Sequence, residues 1–416
     1  MQSLDYEYAY RMAVLISERP RFTGTEGERT AREAIKEELE KHGYSVSLEK
    51  FSTKTYEVVE SELVITEPYL GRVEASALGF SGETPAEGVE GELVYLENTD
   101  PVLIPEEDGW IGIVVQRPSK EGWQRLVKKA GGLVIAESTP YRGLSRVAVP
   151  YEWREKIGSL PSVYVKYRDA VRMLTARRAR LKLTQVYRDV DTYNIIAEVK
   201  GYKYPDEIVY LTAHYDSVMG VPGATDNAGG TALLLALAKA LAGFKPKRTV
   251  RFAFFAAEEL GLRGSLFHVG SLNEEEKKKI KVVVNLDVHG GALGSSAAVI
   301  SGPKSLRYFA EIHAKKLGVN LSISEDIMSS DGTSFVKHGI PAVNLYRSSG
   351  SGADIHTESD SPEHLHPLAF KVIGHYALHL VTELLSAEEI PFEREIPEEI
   401  KKKAEEYFAK RLGVDG

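Results

Sequence analysis

Between Tyr193 and Leu385, short apolar runs alternate with amphipathic stretches, and this alternation constrains the fold more than any other feature of the chain. Asn194–Val199, Ile208–His214, Thr249–Ala257, Val282–Asp287, Ala297–Ser301 and Pro341–Tyr346 read as strands, and Gly229–Leu241, Pro303–Leu317 and Pro367–Leu385 as helices. Near-continuous apolar strands between amphipathic helices imply an α/β fold: a mixed, mostly parallel sheet covered by helices on both faces. An earlier helix, Thr25–Gly43, carries Ala31, Ile35 and Leu39 at i, i+4 and i+8, and Tyr44–Phe51 alternates like a strand. From about Val58 to Arg188 the rhythm changes to short apolar runs among Gly, Pro and acidic loops, with two helices expected near Glu121–Ala130 and Arg168–Arg177. The expected organisation is a discontinuous domain, 1–55 with 190–390, interrupted by a β-rich insert at 56–189 and followed by a charged tail at 391–416. That tail, Glu395–Leu412, reads as a Lys/Glu helix with a solvated face.

Polar residues gather where the strands end. Ile208–Thr212 runs into His214-Tyr215-Asp216, Phe252–Ala257 into Glu258-Glu259, and Val282–Leu286 into Asp287. Gly223-Ala224-Thr225-Asp226-Asn227-Ala228-Gly229-Gly230 opens a long apolar helix, and His356 follows the last strand in a polar loop. Ligands of open α/β sheets bind outside the carboxyl ends of the strands. Each residue also has a plainer reading: His214 as a core histidine, Asp226 as a helix cap. Asp216, two residues past His214, is placed to fix a ligand imidazole's tautomer. Two adjacent carboxylates ending a buried strand repel unless a cation or proton lies between them.

The chain has no cysteine, so a metal must sit on His, Asp and Glu, and thiol chemistry is excluded. Two histidines and three carboxylates suit two zinc ions, with a further carboxylate as general base. Other histidines fit less well. His375 and His379 are spaced i, i+4, but Tyr376 stands where a zincin helix needs Glu, so they read as surface or core. His364 and His366 are alternatives to His356, His289 is a possible outer partner of Asp287, and Asn273–Lys279 reads as a solvated turn.

The net charge of −8, without a basic stripe, argues against nucleic acid. No uninterrupted apolar run approaches a membrane span, and no leader is visible, so the expected location is intracellular, in the cytoplasm. Scarce Asn and Gln beside plentiful Glu, Lys and Arg suggest a thermophile. A homodimer is compatible with the sequence and not required by it.

The stretches AHYDS (213–217), GATDNAGG (223–230), AAEELGLRGS (256–265), NLDVHG (285–290), SDGTSFVKHGIPAVNL (330–345) and IHTESDSPEHL (355–365) occur in that order. Together they resemble the di-zinc aminopeptidase family of secreted bacterial leucine aminopeptidases, whose relatives include glutamate carboxypeptidase, the transferrin receptor and glutaminyl cyclase. The resemblance implies that His214 and Asp287 hold one zinc, Glu259 and His356 the other, and Asp226 bridges them. It further implies Glu258 as general base, Asp216 as the residue orienting His214, a cis peptide bond at Asp226–Asn227, and cobalt as a substitute metal. It implies an exopeptidase acting on peptides, chiefly an aminopeptidase. A carboxypeptidase or dipeptidase, or a silent interaction module like the receptor relative, is the alternative. Several relatives carry Tyr before the last His ligand; Ile355 stands there, so the oxyanion donor stays open, with Tyr346 and Tyr215 as candidates. VEGELVYL, GWIGIVV, AGGLVIA and LPSVYV, in order, resemble a protease-associated domain.

Overall fold

The structure is a computed structural model that describes residues 3–349 and 355–414. The chain divides into two units, one comprising 3–53, 190–349 with Ile355, and 360–405, the other 54–189, 356–359 and 406–414. Two long strands, β1 (Val46–Glu67) and β2 (Arg178–Val199), carry the chain across the division.

The first unit continues with β3 (Tyr204–His214), β4 (Arg248–Phe255), β5 (Ile280–Leu286), β6 (Gly294–Ser301), β7 (Ser322–Glu325) and β8 (Ala342–Ser349). Their order in the sheet is β7-β6-β8-β5-β3-β4-β2. The pairs β8–β5, β5–β3, β3–β4 and β6–β7 are parallel, while β6–β8 and β4–β2 are antiparallel. The sheet is therefore mixed and mostly parallel, as the alternation implies. Ile208–His214 and Phe252–Phe255 are buried throughout, which is why they lack a polar face. The Gly230–Leu241 helix is buried over almost its whole surface, matching its all-round apolar sequence. Glu26–Lys41 instead buries one row, Ala31, Ile35 and Leu39, and is capped by Thr25. Pro367–Ser386 is long and apolar enough to cross a bilayer by length and composition alone, against the expectation of no such segment. However, 67% of its most apolar window is buried inside the fold, so it packs as a core helix.

Several elements differ from expectation. Tyr6–Ile16 is a helix, N-capped by Asp5. Asn273–Lys279 is no loose turn: Glu274–Lys279 is a helix closed by a reciprocal capping box between Asn273 and Glu276. The charged tail is helical over Glu398–Glu406 and then widens into a π turn, Tyr407–Leu412. Its charged residues conceal an apolar row, for Ile400 and Ala404 join the first unit's core with Ile396.

The second unit is built on short strands. Val89–Tyr95, Ile111–Val114, Gly132–Ala136 and Ser162–Val165 pair in parallel, and Ala75–Ala77 adds antiparallel to the last. Three helices alternate with them, Lys120–Leu126, Tyr151–Lys156 and Tyr167–Met173, one more than expected. Its core includes Leu63, Ile65, Ile111, Ile113, Val134, Val163, Met173 and Leu181.

Candidate metal centre

β3 is central in its half of the sheet, and β4 and β5 flank it in parallel. Their carboxyl ends consequently converge, and they deliver His214, the Glu258-Glu259 pair and Asp287. His214 is the last residue of β3 and is buried. Its Nε2 lies 3.2 Å from Asp226 Oδ1 and 3.2 Å from Asp287 Oδ1. Its Nδ1 lies 3.4 Å from Asp216 Oδ1. Burial opposes a charge on this imidazole, yet Glu258 and Asp287 outweigh it and push the pKa well above the usual range.

Asp216 does more than face His214. Its Oδ1 accepts the backbone N–H of Glu258 at 3.1 Å, and its Oδ2 that of Glu259 at 3.2 Å. One fully buried carboxylate thus fixes both the imidazole and the turn carrying the paired glutamates. Ala257, left-handed at φ 56°, bends the chain out of β4 into that turn. Burial of the Glu258 carboxyl, against the pull of His214 and reinforced by Glu259, Asp287 and Asp331, raises its pKa well above the usual carboxylate range. His214, Glu258 and Asp287 each offer one ligand atom within 4.8 Å of the others, and so do Asp226 and Glu259.

Asp226 sits in a tight turn, Ala224–Gly229, and the Asp226–Asn227 peptide bond is cis. The turn is pinned from two sides. Asp360 Oδ1 accepts the Thr225 N–H at 2.7 Å and its hydroxyl at 2.8 Å, and Oδ2 accepts the Asp226 N–H at 3.0 Å. Asn227 Nδ2 donates to the Leu286 carbonyl at 2.9 Å. The glycines that follow have no room for a side chain. A Cβ on Gly229 would stand 2.0 Å from the His289 carbonyl oxygen, and one on Gly230 2.2 Å from Asn227 Oδ1.

His356, left-handed at φ 62°, lies on the short segment His356–Ser359, which groups with the second unit; its carbonyl accepts the Arg146 N–H at 2.8 Å. The alternatives to it take other roles. His366 Nδ1 accepts the Leu368 N–H at 3.2 Å and caps the Pro367–Ser386 helix, and His364 Nδ1 lies 3.3 Å from Ser361 Oγ. His289 is buried, its pKa pushed down to about 4 by burial, and its Nε2 bonds the Leu345 carbonyl at 2.9 Å. It braces the backbone behind Asp287. Tyr215 is turned away, donating to the Tyr193 carbonyl at 2.8 Å in full burial; Tyr346, half-buried on β8, is the remaining tyrosine of the two.

Three residues carry more than sequence reasoning gave them. Arg21 is fully buried and reaches the carbonyls of Tyr215 (2.7 Å), Gly223 (2.9 Å) and Pro222. Burial lowers its pKa to about 10, against Asp360, Asp216, Asp226 and Glu259. It ties the His214 loop to the Asp226 turn, and nothing in its local sequence signals this. Asp331, fully buried at the start of a short helix (Gly332–Val336), has its pKa raised to about 7, chiefly by burial. Asp360 is the third, raised by burial to about 6.

The sequence and the fold have known counterparts. Residues 194–381 match the model of peptidase family M28. Aminopeptidase YwaD of Bacillus subtilis is 33% identical over 265 residues, 61% of this chain and 57% of that protein, so the chain spans little more than half of that relative. Carboxypeptidase Q of Bos taurus is 26% identical over 371 residues, covering 83% of this chain and 77% of its own. The solved structure of a zinc aminopeptidase from Bacillus subtilis superposes with a TM-score of 0.77 at 25% identity, over 96% of this chain and all of that one. The mixed α/β architecture is that of the M28 aminopeptidases.

Proposed function

We propose that the chain is a zinc-dependent exopeptidase that removes N-terminal residues from peptides. The observation that carries this reading is the crowding at His214: two carboxylates approach one buried nitrogen at 3.2 Å each. A single N–H cannot serve both, whereas a cation among them satisfies all three. The donor set therefore fits zinc. By the sequence resemblance, His214 and Asp287 would hold one ion and Glu259 and His356 a second, with Asp226 shared, and cobalt would suit the same oxygen and nitrogen donors. Bound zinc supplies Lewis acidity and a water whose pKa falls towards neutrality.

The remaining work belongs to the protein. Glu258, raised in pKa and backbone-anchored by Asp216, accepts the proton of the attacking water and returns it to the leaving nitrogen. Asp216 holds His214 in orientation from Nδ1. The aminopeptidase relatives and the zinc aminopeptidase neighbour support removal from the amino end. Carboxypeptidase Q, matched over more of this chain than YwaD, supports a second reading in which the carboxyl end is attacked. Peptides blocked at one end or the other, incubated with the zinc- or cobalt-loaded protein, decide between them. Cleavage of only C-terminally blocked peptides upholds the proposal, cleavage of only N-terminally blocked ones establishes the second reading, and cleavage of neither makes the chain a binding module.

A further inference from the structure

A second group of ligands lies on two helices of the first unit, apart from the strand ends. Lys304–Lys316 carries His313, and Pro367–Ser386 carries His379 and Glu383 one turn apart. His313 Nδ1 and His379 Nε2 face each other at 2.9 Å, with ring centroids 5.0 Å apart. Both rings are buried, 7% and 5% exposed. Glu383 Oε1 lies 3.9 Å from His379 Nδ1, too far for a hydrogen bond.

Counting protons shows that this arrangement is incomplete. Two nitrogens facing each other at 2.9 Å share only one proton. If His313 donates, the N–H on His379 Nδ1 is a buried donor without a hydrogen-bond partner. If His379 donates from Nε2, its Nδ1 turns a lone pair towards a carboxylate. Neither neutral tautomer satisfies the pair. A divalent ion does, because it accepts one lone pair from each ring and neutralises the carboxylate. One ligand atom from each of His313, His379 and Glu383 lies within 4.8 Å of the others. Nitrogens bound to a tetrahedral zinc at 2.0–2.1 Å stand about 3.3 Å apart, so the rings need part by only a few tenths of an ångström. Residues i and i+4 on a helix present side chains on one face, which suits His379 and Glu383 to a shared ion. Phe309, tilted at 59° with its centroid 4.3 Å from that of the His313 ring, covers that side. The Glu383 side chain, 37% exposed, leaves a coordination place open to water. Lys316 Nζ, 3.8 Å from Glu383, is the competing cation, but it sits on the exposed side.

We propose that His313, His379 and Glu383 form a zinc-class metal site that clamps the two helices together. The inference is independent of the peptidase reading, since none of these residues belongs to the strand-end cluster. The test is to strip the full chain with chelator, dialyse it against buffered zinc, and count bound ions by elemental analysis. The wild type is compared with Glu383→Gln and His379→Gln. Each variant is expected to hold one ion fewer than the wild type, whatever number the strand ends hold. Equal counts in all three overturn the proposal. Should His379→Gln unfold, Glu383→Gln decides alone: its residue lies on the surface, and the substitution preserves volume.

Discussion

The adjacent glutamates are chemically alike, and only their positions separate their roles. Glu258→Gln keeps the volume and the backbone bond to Asp216 but removes the proton acceptor. General acid–base catalysis typically contributes about 10²–10⁴-fold, so kcat is expected to fall by that order while bound zinc is unchanged. Glu259→Ala removes a donor, and metal affinity is expected to drop about 10–100-fold or more. Parallel measurement of kcat and metal content checks both; a reversal between the two variants overturns the assignment. Glu28 offers a test away from the ions. Its buried carboxyl accepts the Gly24 N–H at 2.7 Å and bonds Thr192, and burial raises its pKa to about 7 from 4.5. A carboxyl with a raised folded pKa favours the fold fully below about 4.5 and loses that contribution as pH rises through about 7. Glu28→Gln is therefore expected to flatten the decline in stability across that window by roughly 1–3 kcal/mol, read by urea unfolding at pH 5 and pH 8. Residue identity was the most legible layer of the sequence. His214, Asp216, Glu258 and Asp287 stand out because a charge ending a buried apolar strand is costly without a purpose. Arg21 does not stand out, because the carbonyls it ties together, those of Tyr215 and Gly223, are 194 and 202 residues away.

Among the elements, the turn holding Asp226 depends on absent side chains. Gly229→Ala places a methyl against the His289 carbonyl. Backbone cannot yield like a flexible side chain, so stability is expected to fall by about 3 kcal/mol or more and metal to be lost with it. Thermal unfolding with and without zinc checks this. Asn273→Ala makes a contrast: it removes a cap remote from the strand ends and should cost about 1 kcal/mol without changing metal content. Strands were legible where burial on both faces makes them apolar throughout, as in β3, β4 and β5. The Glu274–Lys279 helix was not, because six charged residues give no apolar period and the signal lies in the Asn273–Glu276 cap. The tail's helix was legible but its buried row was not, because Ile400 and Ala404 are too few to stand out among lysines and glutamates.

Among the described residues, one hydrophobic core gathers around Val283, Phe335 and Ile400 and another around Ile113, Val134 and Met173. Ile113→Ala is expected to cost about 2–5 kcal/mol and to lower the transition of the second unit alone, leaving the zinc count unchanged. Calorimetry showing a single transition shifted as a whole would mean that the units melt as one. The rhythm of the sequence changes near Val58, and the compact units divide between residues 53 and 54. The second unit's strand–helix alternation was less legible, since its strands of four or five residues are too short to fix a period.

Asp216 has a consequence for motion. The amides of Glu258 and Glu259 hang from the two oxygens of one carboxylate. A fluctuation of that turn carries both side chains the same way at the same moment. Their separation then varies less than the position of either. In the proposed chemistry, the distance between a proton acceptor and a metal donor is held steady by correlation, without the turn having to be immobile.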